Sequence, residues 1–178
     1  MLGDEGSGYE IGIKALKAVM RAYDGRGGVT YLSKTILEDL NINSAHELVR
    51  WAYSSPFSKE RISALAETVC RTAEMGDKVS IRILEEETNE AFISVKAVVD
   101  KLGLGNKEFD LVFVGSVFKC EKYFKTPLTK KLKDKFPRIN IVPLTKKPVE
   151  GAIKLALSNI IDYCNNKTCN FYTPMIIS

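Results

Sequence analysis

The sequence predicts an α/β protein in which a helix-rich first half precedes a small part with parallel strands. Apolar residues recur three or four positions apart in five successive segments between residues 9 and 103, which is the period of amphipathic helices. Two short runs of β-branched and aromatic residues, 109–114 and 138–143, are then separated by one helical segment, as in parallel strands joined by a crossover. Because two strands are few for a covered parallel sheet, we expect the sheet to be incomplete.

Capping residues and glycines set the predicted bounds of the five helices. Side chains of Ser, Thr and Asp accept hydrogen bonds from the first free amides of a helix, whereas Gly favours the position just after its end. The pattern predicts a helix over residues 9–23, a helix from Thr30 to Leu40, a short helix that begins after Ser44 and ends before Pro56, a helix from Ser58 to Glu74, and a long helix from Asp77 to residue 102.

The second half alternates strand and helix. The first strand ends abruptly at Gly115, and a helix is predicted over residues 121–135 before the second strand. A last helix is predicted from Pro148 to about residue 163, since proline is tolerated in the first turn of a helix. We place one domain at residues 1–163, helical at 9–103 and α/β at 108–163, and leave a tail at 164–178 unassigned.

Length and composition are those of one globular domain. The chain has 178 residues, of which 45% are apolar and 27% are charged. It contains no uninterrupted apolar stretch of about 18 residues, which a membrane-spanning helix requires. The N-terminus also lacks the basic and then apolar layout of a signal peptide. We therefore expect a cytoplasmic protein that does not bind membranes.

The cysteines and the basic residues do not form recognisable binding motifs. Cys70, Cys120, Cys164 and Cys169 show no CxxC spacing and there is one histidine, so we assign no metal ligand and expect reduced thiols. Residues 119–154 hold eleven Lys or Arg residues against three acidic residues. Neither interleaved aromatic residues nor a known nucleic-acid motif accompanies this charge, so we interpret it as a solvated helix face and expect no nucleic-acid partner.

The chain begins with an acidic segment spaced by glycines, Gly3-Asp4-Glu5-Gly6-Ser7-Gly8-Tyr9. Residues 3–7 are termed the acidic loop below. Glycines let a backbone approach a ligand closely, and carboxylates such as those of Asp4 and Glu5 accept hydrogen bonds from hydroxyl groups. The same residue types also cap helices. From these residues alone, a site for a polyhydroxy ligand and a helix cap both remain open.

Four segments, in order, resemble the N-acetylglucosamine kinases and their BadF-type ATPase relatives. The acidic loop with the Ile11-Gly12 and Ala15-Leu16 pairs resembles the sugar-contacting loop and helix of that family, and Gly115-Ser116-Val117-Phe118-Lys119 resembles its adenosine-binding stretch. Ala73-Glu74-Met75-Gly76-Asp77 resembles a helix junction that borders the nucleotide, and Pro148-Val149-Glu150-Gly151-Ala152 resembles the closing helix. The resemblance implies the C-terminal half of an actin-like, ribonuclease H-like ATPase fold.

The resemblance also implies roles for five residues. Asp4 is expected to accept hydrogen bonds from sugar hydroxyls, and Gly76, Gly115, Ser116 and Cys120 are expected to line the nucleotide site. The family commonly has serine where this chain has Cys120, so this chain lacks one hydroxyl of the family site. Plainer interpretations exist beside these roles, because Gly115 and Ser116 also fit a tight strand-to-helix turn and Gly76 also fits a helix end before a cap.

The function implied by the resemblance is phosphorylation of N-acetylglucosamine with ATP and magnesium, with glucose as the nearest alternative sugar. The phosphate-binding hairpin and the catalytic aspartate of the family belong to its N-terminal half, and no segment of these 178 residues resembles either. We therefore assign no catalytic residue and expect the chain alone to be inactive. Met1 is either a true start or an internal methionine of a longer protein.

A non-catalytic function is the alternative. A shortened family member could act as a binding or oligomerisation module, because an incomplete sheet exposes an edge that can pair with another chain. The expected partners are then a second copy of the chain or a missing N-terminal half. If the chain is instead part of an enzyme, the expected ligands are the amino sugar N-acetylglucosamine and ATP.

Overall fold

A computed structural model describes residues 3–53, 58–145 and 148–166 of the chain. They belong to two compact units, with the boundary between Val142 and Pro143. In its described part, the first unit contains six α-helices and two strands, and the second contains one α-helix. The domain range 1–163 stays a prediction, and the predicted tail lies outside the described residues from position 167 onward.

Five helices occupy the first half of the chain, as the sequence predicts. Ser44, Ser58 and Asp77 cap their helices, since each side-chain oxygen accepts a hydrogen bond from the amide three residues later. The predicted stop at Pro56 lies outside the described residues. The helices are α1 (Gly8–Tyr23), α2 (Leu32–Asp39), α3 (Ala45–Ala52), α4 (Lys59–Glu74) and α5 (Lys78–Lys101).

The helices α1 and α4 pack against each other at unusually short range. Gly8 and Gly12 lie one helical turn apart on the face of α1 that meets α4. A Cβ atom on Gly12 would overlap the carbonyl oxygen of Ile62, and one on Gly8 would lie 3.4 Å from the carbonyl oxygen of Ser63. Only glycine at position 12 therefore allows this approach. The fully buried core around the contact includes Ile11 and Val19 of α1, Ile36 of α2, Leu48 of α3, Val69 of α4 and Leu84 of α5.

The sheet is shorter than the sequence predicts. Strands β1 (Phe109–Val112) and β2 (Ile139–Val142) run parallel, with Phe109 opposite Ile139 and Val112 opposite Val142. The next position on β2 is Pro143, which has no amide hydrogen for the ladder, so pairing stops there. Within the described ranges the sheet has two strands and is not closed, in agreement with the expected incompleteness.

The helix predicted over residues 121–135 is interrupted near its start. Glu121–Lys125 forms a π-helical turn, and α6 (Thr126–Lys135) follows. Pro127 lies in the first turn of α6 and has no amide hydrogen to donate to the Tyr123 carbonyl. That carbonyl instead accepts a hydrogen bond from Thr88 Oγ1 of α5 at 3.5 Å. The π-helical turn thus leaves the Tyr123 carbonyl available for this hydrogen bond, which attaches residues 121–125 to α5.

In the second unit the structure describes residues 143–145 and the helix α7 (Pro148–Asn166), which begins at the predicted proline and ends three residues later than predicted. Among the α7 residues whose burial the structure describes, the large exposed apolar side chains are Val149, Ile153, Leu155, Leu157 and Ile160. In the portion of the chain that the structure describes, no helix is both long and apolar enough to cross a membrane.

Replacement of Gly12 by alanine tests the contact between α1 and α4. The methyl group would meet backbone atoms, which cannot rotate away as a flexible side chain can. We expect Gly12→Ala to lower the free energy of unfolding by about 2 kcal/mol, the usual cost of overpacking, although alanine is the better helix former by about 1 kcal/mol. Urea unfolding followed by circular dichroism measures the change.

Gly151→Ala is the matched control for this prediction. Gly151 also lies within a helix, and a Cβ atom there would meet nothing within 4 Å. Alanine at this position is therefore expected to leave the stability unchanged or to raise it slightly. If Gly12→Ala were as stable as the unchanged protein, α1 and α4 would not be in backbone contact.

Candidate functional site

The acidic loop is a tight turn that leads into α1. The Ser7 amide donates a hydrogen bond to the Asp4 carbonyl at 3.2 Å, which closes the turn. Gly6 lies inside the turn with φ of 77°, a backbone conformation that favours glycine. Ser7 Oγ accepts a hydrogen bond from the Glu10 amide and caps α1. The capping role is thus performed by Ser7.

The Asp4 carboxylate faces the first turn of α4. Its Oδ1 lies 2.7 Å from Lys59 Nζ, and the Asp4 side chain is 19% exposed. The Lys59 ammonium also lies 5.2 Å from the centre of the Tyr9 ring, in a cation–π contact that fixes its position. Asp4 is therefore a positioned carboxylate that is mostly buried, and its Oδ2 atom is buried completely.

A carboxylate that the sequence pattern does not single out holds the other side of the acidic loop. Glu87 of α5 is buried, and its Oε2 accepts a hydrogen bond from the Gly6 amide at 2.7 Å. Its Oε1 lies 2.8 Å from Lys14 Nζ. Burial alone would lower the pKa of Lys14, but the hydrogen bonds and charges of Glu86 and Glu87 raise it above its ordinary value. The one sequence signal is a charged residue on the apolar side of α5, between Leu84 and Ala91.

The second predicted region is a turn between β1 and α6. Gly115 has φ of 130°, a value that favours glycine, and a single 3₁₀ turn, Ser116–Lys119, follows it. Phe118 of this turn stacks on Phe113 and meets the ring of the fully buried Phe124 edge to face. These aromatic contacts hold the turn against the core.

A cleft of about 350 Å³ opens beside this turn. It is termed the Ser116 cleft below. Ser116 and Cys120 contribute to one side and α4 to the other, whereas neither Gly115 nor Gly76 is among its lining residues. Two larger clefts, of about 580 and 530 Å³, border α1 and contain none of the predicted site residues. The residues from α4 that line the Ser116 cleft are Ser63, Ala64, Ala66, Glu67, Cys70, Arg71 and Glu74.

Cys70 and Cys120 form a disulfide in the wall of the Ser116 cleft. Their Cα atoms are 5.8 Å apart, within the range that a disulfide spans. The expectation of reduced thiols is therefore wrong for this pair. Because its sulfur is bonded to Cys70, Cys120 has no thiol hydrogen to donate to a ligand. The bond attaches residues 116–120 directly to α4.

The junction between α4 and α5 matches its plainer interpretation. Gly76 has φ of 88° and follows the end of α4, and Asp77 caps α5. Asp77 is 6% exposed and accepts hydrogen bonds from Ser80, from the Thr30 hydroxyl and from the Tyr31 amide. Burial alone would raise the pKa of Asp77, but these hydrogen bonds outweigh it and hold the pKa below its ordinary value. Gly76 is exposed beside this network, two residues after Glu74 of the cleft.

The acidic loop and the Ser116 cleft adjoin the same helix. Asp4 contacts Lys59 at the start of α4, and Cys70 joins the cleft eleven residues further along. At a rise of 1.5 Å per residue, these two points lie about 16 Å apart along the helix axis. In the described parts of the chain, no group of three or more His, Cys, Asp or Glu side chains could hold a metal ion.

Comparison with known proteins agrees with the motif resemblance. The model of the BadF/BadG/BcrA/BcrD ATPase family matches residues 1–156. An N-acetylmuramic acid/N-acetylglucosamine kinase from Clostridium acetobutylicum is 39% identical over 158 residues, which cover 89% of this chain and 52% of that protein. An N-acetyl-D-glucosamine kinase from Dictyostelium discoideum is 34% identical over 161 residues, covering 89% of this chain and 50% of that protein. The chain spans about half the length of these relatives.

The depressed pKa of Asp77 predicts an acid-dependent loss of stability. A carboxyl whose pKa is lower in the folded than in the unfolded state stabilises the fold above its unfolded pKa, about 3.9 for Asp. That stabilisation is lost as the pH falls from there through the folded pKa. We expect Asp77→Asn to cost about 1 to 2 kcal/mol at pH 7 and less at about pH 3. Urea titrations at both pH values measure this, and an equal cost at both would contradict the prediction.

Reduction of the disulfide is expected to destabilise the first unit. Cys70 and Cys120 are 50 residues apart in the sequence, and a bond that closes such a loop contributes about 2 to 4 kcal/mol. Dithiothreitol should therefore lower the melting temperature of a variant in which Cys164 and Cys169 are replaced by serine. The control is the variant with Cys70 and Cys120 both replaced by alanine, which should not respond to the reductant. If the reductant lowered the melting temperature of both variants equally, the bond between Cys70 and Cys120 would not be the cause of the loss.

Proposed function

The chain belongs to the BadF/BadG/BcrA/BcrD ATPase family, and on this premise we propose that it forms part of an ATP-dependent sugar kinase that phosphorylates N-acetylglucosamine. In this proposal the acidic loop contacts the sugar and the Ser116 cleft receives the adenosine of ATP. The actin-like, ribonuclease H-like fold belongs to the same proposal. The cytoplasmic location stays a prediction, and the Cys70–Cys120 disulfide is unusual for it, because cytosolic thiols are generally kept reduced. The names of the two kinase relatives support the choice of substrate.

The observation that carries the proposal is the attachment of both elements to α4. A kinase must hold a hydroxyl-bearing acceptor and a nucleotide at a fixed separation, because positioning supplies much of the rate of phosphoryl transfer. The ion pair of Asp4 with Lys59 and the disulfide of Cys70 with Cys120 attach the two elements to one rigid helix. Their separation is therefore set by the helix rather than by a flexible linker.

Asp4 is proposed to accept hydrogen bonds from sugar hydroxyls. Hydrogen bonds to a charged acceptor are stronger than those between neutral groups. The ammonium of Lys59 compensates the negative charge of Asp4 and keeps its side chain oriented. We do not assign Asp4 as the catalytic base, because its proposed role needs no proton transfer.

The nucleotide is proposed to bind along the glycine turn. The exposed backbone at Gly115 and the hydroxyl of Ser116 provide hydrogen-bonding groups where a strand meets a helix, which is the usual edge for nucleotides in parallel sheets. Gly76 would approach the same ligand from the junction after α4. Cys120 would form part of the cleft wall. It would donate no hydrogen bond, since its sulfur is bonded to Cys70.

The remaining catalytic groups are not assigned to this chain. Phosphoryl transfer also requires a phosphate-binding loop, a carboxylate that orients the attacking hydroxyl, and Mg²⁺ on the phosphates. No group of three or more His, Cys, Asp or Glu side chains in the described residues could hold a metal ion, and we derive no step through the metal. We propose that these 178 residues alone do not transfer phosphate. A non-catalytic module for binding or oligomerisation is the alternative.

Nuclear magnetic resonance titrations of the ¹⁵N-labelled chain test the two assignments. N-acetylglucosamine is expected to shift the amide signals of the acidic loop, and ATP those of residues 115–120. Asp4→Asn should weaken sugar binding about tenfold, because it removes a charged acceptor, and should leave ATP binding unchanged. Stronger binding of glucose than of N-acetylglucosamine would contradict the amino-sugar assignment.

Glu60→Gln is the control, since Glu60 is exposed, lies outside the acidic loop next to Lys59, and the substitution removes the same charge. It should bind sugar like the unchanged chain, whereas an equal loss in both variants would point to a general charge effect.

Transfer of phosphate from ATP to the sugar by the chain alone would refute its proposed inactivity. Light scattering on the same sample tests the alternative function. A chain that forms an oligomer and binds neither the sugar nor ATP would favour a non-catalytic oligomerisation module.

A further inference from the structure

Glu87 is a buried carboxylate in the middle of α5, with 1% of the residue exposed. One oxygen accepts a hydrogen bond from the Gly6 amide at 2.7 Å, and the other lies 2.8 Å from the Lys14 ammonium. A buried carboxylate is unfavourable unless its oxygens have partners. Position 87 therefore holds a charged acceptor where an apolar side chain would pack at lower cost, and that acceptor is aimed at the acidic loop.

A second residue of α5 contacts the same turn. A Cβ atom on Gly6 would lie 2.8 Å from the backbone of Ala91, which is one helical turn beyond Glu87. Gly6 is therefore held to α5 by a hydrogen bond at one position and by close packing at the next. Two residues earlier, Asp4 is paired with Lys59 of α4. The acidic loop is thus fixed between two helices.

We infer that Glu87 is a positioning residue for sugar binding, because its hydrogen bond to Gly6 fixes the acidic loop and with it the Asp4 carboxylate. The inference rests on the proposed function, in which Asp4 binds sugar hydroxyls. Glu87 is buried beneath the turn, and the inference gives it no direct contact with the sugar. Its effect passes through the turn itself, in which the Ser7 amide is bonded to the Asp4 carbonyl, so that a displacement of Gly6 also displaces Asp4.

Two substitutions at position 87 separate the hydrogen bond from the rest of the side chain. Glu87→Gln retains an oxygen that can accept from the Gly6 amide, whereas Glu87→Leu has a similar size and no acceptor. We expect Glu87→Leu to raise the dissociation constant for N-acetylglucosamine about tenfold, and Glu87→Gln to stay within about threefold of the unchanged chain. The dissociation constant for ATP should not change in either variant.

Hydrogen exchange gives a readout that does not depend on the ligand. The Gly6 amide loses its acceptor in Glu87→Leu, so its exchange should accelerate about tenfold or more, while Glu87→Gln retains most of the protection. Both measurements are made at a temperature at which every variant is folded. If Glu87→Leu does not fold, Gly6→Ala replaces it, since its methyl group pushes the turn away from Ala91 and should weaken sugar binding in the same way.

Thr88→Val is the matched control. Thr88 adjoins Glu87 in the sequence, is equally buried, and donates its hydroxyl hydrogen to the Tyr123 carbonyl, not to the acidic loop. It should lower stability without changing sugar affinity. A loss of sugar affinity in Thr88→Val equal to that in Glu87→Leu would show a merely structural role and overturn the inference.

The titrations distinguish failure of this inference from failure of the proposed function. Sugar binding by the unchanged chain with undiminished affinity in Glu87→Leu overturns the inference alone. Unaltered exchange of the Gly6 amide in Glu87→Leu also overturns it, because the turn would then not depend on this hydrogen bond. Failure of the unchanged chain to bind N-acetylglucosamine overturns the proposed function, and with it the inference.

Discussion

The close contact of α1 with α4 is the constraint on which the arrangement of the other elements depends. Gly12 brings α1 against the backbone of α4, and α1 begins directly after the acidic loop. The same contact therefore brings Asp4 to Lys59. Further along α4, the disulfide holds residues 116–120 in place. Elements that are far apart in the sequence thus adjoin one helix.

The sequence predicts those features that neighbouring residues determine. Helix starts at Ser44, Ser58 and Asp77 depend on a side chain and an amide three residues away, so the local pattern contains all the information. The end of β1 is different, because it is set by Pro143 on the other strand. The π-helical turn before Pro127 likewise depends on two residues that are distant in the sequence. Pro127 has no amide hydrogen to donate to the Tyr123 carbonyl, and the hydroxyl of Thr88 in α5 donates to it instead.

The candidate site shows the same division. The motifs around Asp4 and Ser116 are contiguous in the sequence and can be recognised from it, as the match to the family model confirms for the family. The disulfide depends on a Cα separation of 5.8 Å that a spacing of 50 residues does not reveal. For Glu87 the sequence shows only a charged residue on the apolar side of α5. Its role follows from its partners Gly6 and Lys14, which come from two other elements.

The unbroken course of α4 has a consequence for how the proposed kinase would close around its ligands. Sixteen residues form one helix without a proline or glycine, so it moves as a stiff rod. Any hinge must lie outside this rod, and closure that excludes water must carry the acidic loop and the Ser116 cleft together as one body. Binding of a ligand at the acidic loop would then move the Ser116 cleft together with α4. The distance between the loop and the cleft would not change.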